Sequence, residues 1–234
     1  MSYINLKVKD ATDMQAYVAT PQGVEPFPAI IVLQEAFGVN DHIRDVADRL
    51  AREGYLAIAP ELFHRTAPPH LSVSYSEFQQ VAPHIQAITP EGSENDLRSV
   101  YEWLQSQNNI QKQNIASIGF CMGGRVAYIA NSILPLKASI SFYGGYIHTM
   151  LDRAEKLQAP QLFFWGGKDQ HIKTEHINAV VDAVRNAGKE FINVEISYAD
   201  HGFFCNEREQ YNPQAALEAW GMVKAFLKNK LKKS

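Results

Sequence analysis

The chain of 234 residues is long enough for one α/β domain and can bury a substantial core without cross-links. Its composition is 46% hydrophobic and 20% charged, as in ordinary globular proteins, and its net charge of −3 argues against a nucleic-acid partner. Two cysteines make no disulfide framework, no four-ligand Cys/His cluster occurs, and no apolar run reaches the length of a membrane span. The N-terminus lacks a basic-then-apolar signal pattern. We therefore expect a metal-free protein with reduced thiols, located in the cytoplasm.

Strand and helix patterns alternate along most of the chain. An opening hairpin is predicted at 3–8 and 14–19, and further strands at 28–34, 55–59, 114–118, 138–143, 161–165 and 191–197. Helices are predicted at 41–53, 91–107, 122–132, 173–186 and 213–227. Four prolines predict a loop between 61 and 90 with one short helix near 75–82, namely Pro68, Pro69, Pro83 and Pro90. The alternation predicts an α/β fold in one domain over 1–234, with a mostly parallel central sheet and helices on both faces.

One turn between a predicted strand and a predicted helix has the form glycine, any residue, nucleophile, any residue, glycine. It runs from Gly119 to Gly123 and places Cys121 where α/β-hydrolases usually carry serine. The glycines allow the close backbone approach of a strained turn, and the helix N-terminus favours a thiolate. The backbone N–H of Met122 is expected to point at the substrate carbonyl oxygen. The alternative is that Cys121 is a small buried hydrophobic residue.

The acid and the base are expected after the nucleophile, in that order. Asp169 follows a predicted strand in a glycine-rich loop, and His201 follows the next predicted strand. Ligands of open α/β sheets bind at the carboxyl ends of strands, which brings these positions together. His201 would take the thiol proton and Asp169 would orient the imidazole. Asp200 and His171 are rivals for these roles, and a turn aspartate or a surface histidine is the alternative for each residue.

The loop after the strand predicted at 28–34 is expected to supply a second oxyanion donor, the backbone N–H of Ala36. Glu35 is therefore expected near Cys121. A buried carboxylate beside a thiol retains a proton on one of the two groups, which would keep the resting enzyme in its thiol form. The alternative is that Glu35 is a solvated loop residue.

These residues together resemble the dienelactone hydrolase (carboxymethylenebutenolidase) family, in segments that span nearly the whole chain. The matching segments are those at 34–40, 60–65, 119–124, 142–145, 166–169 and 201–203. The resemblance implies an α/β-hydrolase fold, a Cys-His-Asp triad, a mechanism without a cofactor, and a glutamate that interacts with the resting thiol. By position these are Cys121, His201, Asp169 and Glu35.

The chain departs from the family where dienelactone-opening members clamp the substrate carboxylate with two arginines. No arginine stands at Phe78-Gln79-Gln80, and the arginine nearest after His201 is Arg208. A bidentate clamp orients a carboxylated lactone, so this departure affects the substrate that is expected. The substrate-binding residues predicted from the matching segments and from this search are Phe37, His64, Tyr143 and Arg208.

The sequence thus predicts an enzyme that hydrolyses a small ester or lactone through a cysteinyl acyl-enzyme. Its expected partner is a small-molecule substrate, with no nucleic acid and no membrane, and its expected state is a monomer or a small homo-oligomer. Two other classes stay open: a non-catalytic binding module with the same fold, and a thiol-redox protein that uses Cys121 and Cys205.

Overall fold

The computed structural model describes residues 2–231, which form two compact units covering residues 2–115 and 116–231. The single domain over residues 1–234 stays a prediction. Strand β5 begins in the first unit and continues into the second. Within residues 2–231, no helix is long and apolar enough to cross a membrane.

The first unit contains four strands and three helices within its described residues. Its strands are β1 (Ser2–Lys7), β2 (Asp13–Ala19), β3 (Phe27–Leu33) and β4 (Leu56–Pro60). Its helices are α1 (Asp41–Arg52), α2 (Phe78–Gln86) and α3 (Pro90–Ser106). The helix N-termini follow from capping: the side chain of Asn40 accepts the N–H of Ile43, and Thr89 accepts that of Gly92.

The predicted hairpin is confirmed, because β1 and β2 pair antiparallel. Strand β4 pairs antiparallel with β2 and parallel with β3. Every residue of β3 and β4 is buried, so both faces of these two strands are covered, as expected for continuous apolar runs. Helix α1 packs against β2, β3 and β4 through its apolar side.

The second unit continues the alternation of strands and helices. Its strands are β5 (Ile110–Phe120), β6 (Ala138–Phe142), β7 (Gln161–Gly166) and β8 (Phe191–Ile196). Its α-helices are α4 (Met122–Ile133), α5 (Thr174–Asn186) and α6 (Pro213–Lys230). Two short 3₁₀ helices, Ile147–Thr149 and Leu151–Lys156, lie between β6 and β7.

All strand pairs within the second unit are parallel, in the order β5-β6-β7-β8. Strands β6 and β7 are buried at every position, α4 and α6 pack against β6, and α5 packs against β8. The carboxyl ends of parallel strands meet at one edge, and the loops after β5, β7 and β8 carry Cys121, Asp169 and His201. The predicted α/β class with mostly parallel pairing is confirmed.

Four elements differ most from the sequence prediction. Helix α2 starts at Phe78 and ends at Gln86, later than the predicted 75–82, and it includes Pro83, which was predicted to break structure. The helix tolerates this proline at the cost of one backbone hydrogen bond. Strand β5 is longer than predicted. The prediction missed its first half because those residues are mostly polar and partly exposed, a pattern that does not indicate a buried strand. The two 3₁₀ helices were not predicted.

Candidate active site

Cys121 lies on a strained turn between β5 and α4. Its φ of +52° falls in the left-handed region, which few non-glycine residues adopt. A Cβ on Gly119 would lie 1.9 Å from the carbonyl oxygen of Gly123, so only glycine fits there. The Cys121 N–H donates to the carbonyl of Phe142 at 3.0 Å, which ties the turn to the end of β6. The turn therefore holds the sulfur at the first turn of a helix in a fixed position.

Asp169 occupies the loop after β7, and its carboxylate accepts three hydrogen bonds. One oxygen accepts the backbone N–H groups of His171 and Ile172, at 2.7 and 3.0 Å, and the other lies 2.7 Å from Nδ1 of His201. The side chain is only 1% exposed. These contacts fix the orientation of the carboxylate toward the imidazole.

Two glycines allow the loop after β7 to pack directly on the loop after β8. A Cβ on Gly166 would lie 2.8 Å from the carbonyl oxygens of Ala199 and Asp200, and one on Gly167 would lie 2.6 Å from the Cα of Ser197. This close approach of the two backbones explains why the sequence needs paired glycines before Asp169. The close approach places Asp169 beside His201.

His201 bridges the other two side chains. Its Nδ1 faces Asp169, and its Nε2 lies 3.2 Å from Sγ of Cys121. The ring is nearly buried, with 7% of the residue exposed, and it lies 5.0 Å from the ring of Tyr143 between centroids. The structure thus brings together the three residues that the sequence predicts as nucleophile, base and acid.

The electrostatics of this arrangement favour a charged imidazole. Burial alone would lower the pKa of His201, but the negative charge of Cys121 and the hydrogen bond to Asp169 outweigh it and raise that pKa to about 10. Burial would likewise raise the pKa of Asp169, but its hydrogen bond and charge interaction with His201 lower it below the usual value. An imidazolium between a carboxylate and a sulfur stabilises the negative charge of a thiolate.

The rival residues lie in other positions. Asp200 Oδ1 accepts the backbone N–H of His201 at 2.6 Å, which does not orient the ring. His171 is exposed, and its ring stands 5.3 Å from that of His201 between centroids, on the rim of the site. Neither residue has the geometry predicted for the orienting acid or the base. Neither Cys121 nor Cys205 is in a disulfide, and Cys205 is buried.

Two of the predicted substrate-binding residues lie next to His201. Tyr143 is buried directly after β6, with a φ of +38°, and its ring packs on the imidazole. Arg208 is half-buried, and a Cβ on Gly202 would lie 2.6 Å from its Cζ atom. The guanidinium therefore covers the backbone of the residue that follows His201, which fits the sequence expectation that Arg208 is near the site.

The other predicted site residues belong to the first unit. Glu35 is fully buried and accepts a hydrogen bond from Tyr75 Oη at 2.8 Å, so the alternative of a solvated loop residue is wrong. Ala36 and Phe37 are buried in an apolar cluster with Val73 and Val81. The thiol coupling of Glu35, the N–H donor role of Ala36 and the substrate contact of Phe37 stay predictions.

His64 is buried as well, with its Nε2 atom 3.1 Å from Asp96. Asp96 also receives two hydrogen bonds from Arg65, at 2.7 and 3.0 Å. Asp96 thus holds both basic side chains of this segment, and the substrate-binding role predicted for His64 gains no support from these contacts.

The sequence prediction missed Arg125, which lies one helical turn after Cys121 in α4. Its guanidinium carbon lies 5.8 Å from the ring centroid of Tyr146, within cation–π range. A basic residue in the first turn of a helix is electrostatically unfavourable, and this was the sequence signal that could have identified it.

Comparison with known proteins agrees with this fold. The sequence model of the Dienelactone hydrolase family matches residues 14–231. A provisionally named carboxymethylenebutenolidase from Synechocystis is 34% identical over 225 residues, covering 92% of each chain. One from Escherichia coli K12 is 34% identical over 227 residues, covering 92% of this chain and 82% of its own.

The crystal structure of a provisionally named dienelactone hydrolase from Klebsiella pneumoniae superposes with a TM-score of 0.85 at 30% identity, covering 97% of this chain and 98% of that one. The protein described here therefore has the α/β-hydrolase fold. More particularly, the chain belongs to the dienelactone hydrolase family, and it is a hydrolase with a small-molecule substrate.

Proposed function

We propose that the protein hydrolyses a small ester or lactone through a covalent acyl-enzyme on Cys121. The observation that carries this proposal is the continuous chain of contacts from Asp169 through His201 to the sulfur, with distances of 2.7 and 3.2 Å. These distances lie in the range expected for a nucleophile, its base and an orienting acid.

In the first half of the reaction the thiolate attacks the carbonyl carbon of the substrate. A carbon–sulfur bond forms, and the carbonyl oxygen becomes an oxyanion. The tetrahedral intermediate collapses when the carbon–oxygen bond to the alcohol breaks, and the imidazolium of His201 gives its proton to the departing alkoxide. The product of this half is an alcohol, or in a lactone the free hydroxyl end, and a thioester on Cys121.

In the second half a water molecule attacks the thioester, and His201 takes a proton from the water as the new carbon–oxygen bond forms. The carbon–sulfur bond then breaks, which releases the carboxylic acid and restores the sulfur. Asp169 stays ionised throughout and stabilises the imidazolium each time it forms. Its depressed pKa supports this role.

The oxyanion is assigned two backbone donors, Met122 and Ala36. Met122 is the first residue of α4, so its N–H has no acceptor within the helix and can face a ligand. Ala36 is the residue expected at this position in the loop after β3. The proposal requires no cofactor or metal and describes a cytoplasmic enzyme, a monomer or small homo-oligomer, without a nucleic-acid or membrane partner.

The test is hydrolysis of 4-nitrophenyl acetate by the wild-type protein, Cys121→Ala and Cys205→Ala. We expect a burst of nitrophenolate equal to the enzyme concentration, since this activated ester should acylate the sulfur faster than water hydrolyses the thioester. Cys121→Ala should lose turnover to the background rate, while Cys205→Ala, a matched change at the other cysteine, should retain it. Mass spectrometry of the quenched reaction should locate the acetyl group on Cys121.

Three outcomes would overturn the proposal. Full turnover in Cys121→Ala would exclude the cysteine as nucleophile. Absence of turnover in the wild-type protein with all esters and lactones tested would favour the binding module. Reversible loss of activity that needs both cysteines would instead favour the thiol-redox function.

A further inference from the structure

Arg125 is a cation placed where the helix does not favour one. It lies in the first turn of α4, where the positive end of the helix dipole opposes a positive charge. Burial of the guanidinium lowers the pKa of Arg125, although the charge of Cys121 acts in the opposite direction. Such a position costs free energy unless a negative charge compensates it.

The structure supplies no carboxylate partner for Arg125 among residues 2–231. Arg65 and Arg185, by contrast, are paired with carboxylates: Arg65 contacts Asp96 and Asp10, and Arg185 contacts Asp182. The interactions of the Arg125 side chain are instead its position over the ring of Tyr146 and its charge interactions with Cys121 and Tyr146. The guanidinium therefore has charge-assisted donors that no carboxylate of the described residues occupies.

The loop after β6 supplies the aromatic residue, Tyr146, that contacts the guanidinium of Arg125. A Cβ on Gly124 would lie 2.9 Å from the Cα of Gly144, so the loop lies directly on the first turn of α4. Two residues later Tyr146 has a φ of +63° and is 67% exposed. The guanidinium carbon lies over its ring, 5.8 Å from the centroid, and this contact needs none of the N–H donors, which stay available for a planar anion.

We propose that Arg125, positioned by Tyr146, binds a carboxylate group of the substrate and thereby gives the enzyme a preference for anionic esters or lactones. This inference rests on the proposed function, since the anion must belong to the molecule whose carbonyl Cys121 attacks. One helical turn separates the two residues, so a carboxylate held by Arg125 and a carbonyl at Cys121 fit within one small substrate. Arg125 would thus determine specificity from a position other than the two at which the family's arginines are expected.

A different role for Arg125 would be to stabilise the thiolate of Cys121 without contacting substrate. The two roles differ in one observable. Stabilisation of the thiolate changes the reactivity toward neutral and anionic molecules together, whereas an anion subsite changes the ratio between them.

The experiment compares two matched pairs of reagents. The ester pair is 4-acetoxybenzoate, which is anionic, and 4-acetoxybenzamide, which is neutral; the alkylating pair is iodoacetate and iodoacetamide. Each is tested on the wild-type protein, Arg125→Gln, Arg125→Lys and Arg185→Gln. Arg185 is a close control because its guanidinium carbon also lies 5.8 Å from an aromatic ring centroid, that of Phe191, on the surface of the same unit.

We expect Arg125→Gln to lower the anionic-to-neutral ratio of kcat/KM by about tenfold or more, as loss of a charge-assisted contact allows. The ratio of alkylation rates should fall in the same direction. Arg125→Lys should retain part of both ratios, and Arg185→Gln should retain them fully. Thermal unfolding of each variant shows whether it is folded, and Arg125→Lys tests the proposal if the glutamine variant is not.

Equal loss of anionic and neutral reactivity in Arg125→Gln, or unchanged ratios, would overturn the anion subsite. The alkylation arm needs no turnover, so it separates this inference from the proposed function. Dependence of the alkylation ratio on Arg125 in a protein that hydrolyses neither ester would support the subsite and refute the esterase. Hydrolysis of both esters with ratios that ignore Arg125 would do the reverse.

Discussion

The carboxylate of Asp169 lies 2.7 Å from the Nδ1 atom of His201, although the two residues belong to different loops. The carboxylate of the adjacent Asp200 accepts the backbone N–H of His201 instead of a hydrogen bond from the ring. The residue adjacent to His201 in sequence is therefore not the one that orients its ring. The acid that can act on the imidazole is the one that the carboxyl end of the neighbouring strand supplies.

Replacing each aspartate by asparagine should separate these two contacts. Asp169→Asn removes the charge that stabilises the imidazolium and presents an amide to Nδ1, so we expect kcat to fall by about a hundredfold or more. Asp200→Asn retains a side-chain oxygen for the backbone N–H, so we expect a change of less than about tenfold. Initial rates with 4-nitrophenyl acetate measure both variants. Similar losses in the two variants would contradict the assignment of Asp169.

Stability should depend on pH through His201. The pKa of this residue is about 10 in the folded protein and 6.5 for an ordinary histidine, so folding favours its protonated form. The stabilising contribution is therefore complete below about pH 6.5 and is lost as the pH rises toward 10. His201→Gln removes this titration.

We expect urea unfolding to show that the free-energy difference between the wild-type protein and His201→Gln shrinks as the pH is raised from 6 to 10. Desolvation of the ring opposes its charge interactions, so the contribution should amount to no more than a few kcal/mol. A difference that stays constant over this pH range would mean that the imidazole is not held in its charged form.

The turn that carries Cys121 should not tolerate a methyl group at Gly119. The Cβ of Gly119→Ala would lie 1.9 Å from a backbone oxygen, which cannot move without distorting the turn, so we expect a loss of about 3 kcal/mol or more in the free energy of unfolding. Gly145→Ala is the control, because no heavy atom lies within 4 Å of its new Cβ, and it should change stability by about 0.5 kcal/mol or less. Chemical denaturation measures both. Equal stabilities of the two variants would contradict the strained turn.

Much of the fold could be predicted because several of its strands are continuous apolar runs in the sequence. Strands β3 and β4, which are buried at every position, are examples of such runs. The glycines around Cys121 indicate a tight turn in which a Cβ would clash with the backbone. The bounds of α2 could not be predicted, because only Val81 of this helix is buried and because Pro83, which usually interrupts a helix, stands inside it. The polar first half of β5 likewise carries no burial signal.

The same distinction, between what sequence patterns indicate and what depends on packing, applies to the candidate site. Cys121, Asp169 and His201 could be predicted because chain order and strand ends fix where such residues must fall. For Arg125 the sequence shows only a basic residue in the first turn of a helix, because the lack of a carboxylate partner within the described residues and the contact with the ring of Tyr146 are properties of packing. The burial of His64 against Asp96 was hidden for the same reason.

The buried side chain of Glu35 should influence the reactivity of Cys121. Its full burial and its hydrogen bond from Tyr75 show a carboxylate held in place, in the loop where the sequence predicts a contribution to the oxyanion site. Glu35→Gln removes the carboxyl group that the sequence predicts beside the thiol, so we expect iodoacetamide to alkylate Cys121 faster at pH 7, by about threefold or more. Glu61→Gln is the control, since Glu61 is another buried carboxylate of the first unit and is held by His70. Equal alkylation rates in the wild-type protein and Glu35→Gln would show that this side chain does not act on the thiol, and its burial would then serve the folding of the first unit alone.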